Sequence, residues 1–174
     1  SGGCTPLSLK ALSKNLMVTA FDINPHQLIH LNNKTKLIQT KKLKQLNAGF
    51  KGDMALNQSG KFEKMFQVFR VSFIKNITTE SEIEELFNLK TEEKKRSYII
   101  LGWLKNPNIK TPFKKVFNDD VIESVFSKRA TQHATPGTYI EYFFNKIMNS
   151  FKSNNFYKNP FLQHIFLGYY LKES

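Results

Sequence analysis

The stretch TYIEYFFNKIMNSFK, residues 138–152, decides the fold class. Tyr139, Ile140, Phe143, Phe144, Ile147, Met148 and Phe151 recur at spacings of three and four, so they share one face of a helix. Asn145, Lys146, Asn149 and Lys152 take the opposite face. Thr138 and Glu141 are spaced as a capping box, in which each side chain accepts from the other's backbone N–H. The spacing predicts an amphipathic helix over 138–152, and the rest of the chain repeats its signals.

The prolines carry the pattern outward. All six follow Thr or Asn: Thr5-Pro6, Asn24-Pro25, Asn106-Pro107, Thr111-Pro112, Thr135-Pro136 and Asn159-Pro160. A Thr or Asn oxygen accepts an orphan N–H at a helix start, and proline in the first turn sacrifices no hydrogen bond. A last helix therefore starts at Pro160, with Phe161, Ile165 and Tyr169 along its apolar side. A shorter one starts at Pro112, and Asp120 caps another that carries Val121, Ile122, Val125 and Phe126. Thr79 and Glu82 form a second capping box ahead of Ile83, Leu86 and Phe87. Charged residues 92–96 lead into an apolar run, 98–104, which reads as a fully buried helix with Trp103 in the core.

The N-terminal third is less regular. Leu9, Leu12 and Leu16 favour a first helix. Residues 27–31 and 36–40 are two β-compatible runs around Asn32-Asn33-Lys34-Thr35, which suits a small hairpin; a helix over 36–46 is the rival. Residues 47–61, with three glycines, read as a loop. Phe62, Met65, Phe66, Phe69 and Phe73 have helical spacing, although residues 68–73 also alternate as a strand would. The run 69–76, followed by Thr79, Glu80, Glu82 and residues 85–87, resembles the opening strand and helix of an RNA-recognition motif, which would imply a sheet. No second aromatic signature follows, and no family is assigned. The expectation is a mainly α fold, a compact bundle of about seven or eight helices with a small N-terminal β-hairpin as an option. Residues 1–6 read as a tag remnant, and residues 7–174 as a single basic domain cut from a larger protein.

The composition narrows the function. Lys and Arg total 26 against 14 Asp and Glu, a net charge of +12, which suits a polyanionic partner. Lysine supplies 23 of those cations and arginine three, so phosphate contact would be largely sequence-independent. Lys34, Lys36, Lys41, Lys42, Lys44 and Lys51 occur with no acid among them and form the first basic patch. Lys110, Lys114, Lys115, Lys128 and Arg129 form a second, although Lys128 and Arg129 also suit a helix C-terminus. Tyr139, Tyr157 and Phe156 would add base stacking if exposed.

No motif for catalysis or cofactor binding is present. His26 and His30 stand four apart with no carboxylate to complete a metal site, and the single cysteine, Cys4, forms neither a disulfide nor a cysteine-based zinc site within the chain. The clustered acids 80–85, 92–93 and 119–120 suit helix N-termini. The expectation is a non-enzymatic module of an intracellular assembly, in nucleus or cytoplasm, that binds DNA or RNA without cofactor or metal. Its alternative is a protein-interaction or scaffold domain with an apolar groove between helices, suggested by the 16 phenylalanines.

Overall fold

A computed structural model describes residues 4–46 and 55–171. Among the described residues there are eleven α-helices, two short 3-10 turns and no strand. The mainly α expectation holds. The chain divides into two compact units, Ser1–Asn47 and Ala48–Ser174.

In the first unit, α1 (Cys4–Leu12) takes in three of the residues assigned to the terminal remnant. Lys10 donates to the carbonyls of Lys14 and Leu16 beyond its end. α2 (Pro25–Gln39) replaces the expected hairpin with one continuous helix. Its start follows the proline rule, since the Asn24 side chain accepts from the His26 N–H and Pro25 opens the first turn. The hairpin fails because the helix opened by Asn24 and Pro25 runs on through Asn32-Asn33-Lys34-Thr35, the four residues that would have had to turn. The apolar residues of α2 scatter around its axis and none is buried, which is why no helical period showed. It ends in a Schellman turn: the Lys42 N–H returns to Leu37 and the Lys41 N–H to Ile38, with Lys41 at φ 57°. A single turn, α3 (Leu43–Leu46), follows.

The second unit is built around α4 (Lys61–Asn76). Residues 68–73 belong to this helix, so no opening strand of an RNA-recognition motif exists. Phe66, Phe69 and Phe73 are fully buried. α7 (Thr111–Val116) and α11 (Pro160–Phe166) pack on α4 with Phe113, Leu162, Ile165 and Phe166. The core also takes Ile83, Leu86 and Phe87 from α5 (Glu80–Phe87), Trp103 from α6 (Glu93–Lys105) and Ile122 from α8 (Asp119–Phe126). α10 (Thr138–Ser150) contributes Ile147, and α9 (Lys128–Thr131) is a single turn without buried residues. Twelve of the 16 phenylalanines belong to this core, so their number does not by itself call for a partner. The rings mesh mostly edge to face, as between Phe69 and Phe113 at 4.9 Å and Phe73 and Trp103 at 5.0 Å.

Three local expectations change. Thr79 and Glu82 do form their box, but Thr138 and Glu141 do not. α10 instead starts from Gly137, whose left-handed backbone (φ 80°) turns its N–H to the Asp119 carboxylate at 2.7 Å, while Glu141 pairs with Lys110. The cap of α8 is Asn118, which accepts from the Val121 N–H, so Asp119 and Asp120 fall in the first turn. α6 is buried only through Arg96, Ile99 and Trp103; Tyr98, Leu101 and Leu104 face solvent. Tight apolar spacing there reflected two faces, of which one is covered.

Candidate functional site

The structure redistributes the lysines of the first patch. Lys34 and Lys36 lie two residues apart on α2, about 160° apart around its axis. Lys34 is half-buried and Lys36 exposed. Lys41 and Lys42 form the Schellman turn, Lys44 lies in α3, and all three are exposed. Lys36, Lys41, Lys42 and Lys44 thus gather around the C-terminal end of α2. No acidic residue lies between Asp22 and that end. Lys51 lies outside the described residues.

The second patch divides as well. Lys110 is tied down, its ammonium 2.7 Å from Glu141 and 5.1 Å from the centre of the Phe144 ring. Lys114 and Lys115 stand exposed on α7, while Lys128 and Arg129 follow the end of α8 and open α9. Only Lys115 meets cations the sequence reading left out. Together with Lys61 and Lys64 of α4 it borders a groove of about 330 Å³ between α4, α7 and α8. Apolar side chains, Met65, Val68, Val116, Val121 and Val125, line the groove. Lys61 and Lys64 fall three apart on α4, but only the neighbouring α7 and α8 make their position a rim.

Two of the three arginines do structural work. Arg70 donates to the carbonyls of His164 and Ile165 at the C-terminal end of α11. Burial lowers its pKa to about 10, so the guanidinium stays charged at neutral pH. Gly168 (φ 80°) passes so close that a Cβ there would meet this guanidinium at 2.5 Å. Arg96 is buried, donates to the carbonyls of Leu86 and Asn88 at the end of α5, and lies 3.9 Å from the centre of the Tyr157 ring. Arg129 alone of the three is exposed.

The aromatic residues considered for stacking on bases are committed elsewhere. Phe156 is buried, Tyr139 packs against the core, and Tyr157 lies beneath Arg96. Among the described residues no group of three His, Cys, Asp or Glu could hold a metal ion, and no helix is long and apolar enough to cross a membrane. His164 lies between rings, stacked on Tyr170 and edge-on to Phe66, and burial holds its imidazole below the ordinary 6.5.

In the first unit a cavity of about 220 Å³ lies between α1, residues 18–22 and α2. Leu9, Val18, Leu28 and Leu31 give it an apolar lining, and Asp22 is the one acid among the described residues there. Comparison with known protein families, curated proteins and solved structures finds no match to this chain.

Proposed function

We propose that the protein binds nucleic acid through the lysines around the end of α2. The observation that carries this reading is the exposed group Lys36, Lys41, Lys42 and Lys44, set on one helix end with no acidic residue from 23 to 46. The helix dipole accounts for Lys36 in the last turn. It does not require three further lysines at residues 41, 42 and 44. With two of the three arginines capping helices, contact falls to ammonium groups. These neutralise phosphates as point charges and read little sequence. Such a module would act within an assembly in the nucleus or cytoplasm and would need no cofactor or metal.

The test is fluorescence anisotropy with labelled single- and double-stranded DNA and RNA. Four phosphates neutralised on a duplex give a salt slope of about −3.6, so affinity falls about 100-fold between about 50 and about 200 mM salt. Lys41→Gln/Lys42→Gln/Lys44→Gln removes most of the binding, whereas Lys90→Gln/Lys94→Gln/Lys152→Gln leaves it unchanged. Absence of binding at the lower salt, or equal loss in both triple variants, refutes the reading.

A further inference from the structure

The α4–α7–α8 groove lies in the second unit and shares no residue with the α2–α3 lysines. We propose that it is a docking site for an acidic amphipathic helix of a partner protein.

The argument begins with the outward flank of α4. Lys61, Lys64, Val68, Val71 and Lys75 recur at spacings of three, four, three and four, so they form one stripe along the helix. All five are exposed, and the two valines retain 47% and 68% of their surface. Every other apolar side chain of α4 faces inward or packs against the core. A sixteen-residue helix is about 24 Å long, enough to lie against three or four turns of another. The groove flanks this stripe and deepens it: Val116 comes from α7, and Val121 and Val125 from α8.

Charge selects the occupant. Among the described residues three lysines and no acid border the groove, and Lys75 continues the positive charge along α4. Lys64 and Lys115 make no ion pair among the described residues, while Lys61 donates to the Ser124 carbonyl of α8 at 3.3 Å. A helix with apolar anchors at i, i+3, i+4 and i+7 and Asp or Glu at its flanks meets both features, the anchors entering the groove and the acids facing the lysines. Nucleic acid fits less well, because a valine-lined floor offers no hydrogen bond to a sugar or base. A bilayer also fits less well, because Val116, Val121 and Val125 line a concavity instead of crowning a ridge.

NMR titration of the intact chain with two synthetic sixteen-residue helical peptides tests this. Both carry Leu at i, i+3, i+4 and i+7, one with Glu and the other with Lys at the flanking positions. The acidic peptide is expected to bind with a Kd of about 10–100 μM, shifting the amide signals of Met65, Val68, Val116, Val121 and Val125. Val68→Glu, which alters an exposed residue and leaves the helical circular dichroism intact, weakens it at least about tenfold, a loss of about 1.4 kcal/mol. Lys64→Glu/Lys115→Glu does the same and improves binding of the basic peptide. The triple lysine variant of the α2 end leaves the acidic peptide unaffected, so the two proposals fail separately. Equal affinity for both peptides, shifts outside the groove, no binding at about 500 μM, or binding of oligonucleotides or phosphatidylserine vesicles that Val68→Glu abolishes would each overturn the assignment.

Discussion

Phe166→Ala should remove the centre of the second unit. The ring is fully enclosed and stands 5.2–6.1 Å from five others, those of Phe69, Phe73, Phe87, Trp103 and Phe151. Truncating a buried Phe costs about 3–5 kcal/mol through lost transfer energy and the cavity left behind. Five aromatic neighbours place this site at the upper end of that range, near 5 kcal/mol. With a urea dependence of about 1.5–2 kcal/mol/M for a unit of this size, the unfolding midpoint drops by about 2.5–3.3 M. The assay is internal: Trp103 is the sole tryptophan, is buried, and stacks on Phe166 at 5.7 Å, so its emission reports this core directly. Phe166→Leu supplies a graded point at about 1–2 kcal/mol if the alanine variant fails to fold. Phe126→Ala, at an exposed site, serves as the control. A midpoint change below about 1 M for Phe166→Ala, or equal to that of Phe126→Ala, would refute the placement of this ring at the centre.

Thr79→Ala removes the hydroxyl that accepts from the Glu82 N–H and should cost about 1 kcal/mol, read by urea unfolding, while Thr138→Ala should cost less because its box is not formed. Ser127→Gly relieves backbone at φ 76° and ψ 150°, a region that suits glycine, and should raise stability by about 1 kcal/mol in the same assay. Burial holds the His164 imidazole below 6.5, with the Arg70 charge adding to this and Glu63 opposing it. The unfolded chain therefore takes up the proton first: the contribution is complete above pH 6.5 and is lost as pH falls from there through the lowered folded value. His164→Phe, which keeps a ring between Phe66 and Tyr170, should flatten the decline of the thermal midpoint between about pH 7 and about pH 5.

The sequence by itself determined the helices whose ends carry chemical signals and whose faces are periodic. The Asn159 cap before Pro160, the Thr79–Glu82 box and the apolar faces of α4 and α10 are local, because a cap or a stripe depends on residues within one or two turns. It also determined that Trp103 belongs in the core. Signals that depend on distant partners were out of reach. The Gly137 N–H finds Asp119 eighteen residues away, and Glu141 finds Lys110 thirty-one residues away, so the box expected at Thr138 gave way to contacts no window of sequence contains. α2 was missed because nothing is buried along it, leaving no period to read. The exposed side of α6 was hidden for the opposite reason: its apolar residues surround the helix, and packing alone decides which half is covered. The candidate surfaces follow the same rule. Lysine number and the acid-free run are written in the chain, and the gathering of four lysines follows from where α2 ends, but that of Lys61 and Lys64 with Lys115 around an apolar groove is a relation between elements that only the tertiary structure sets, since a rim needs two walls.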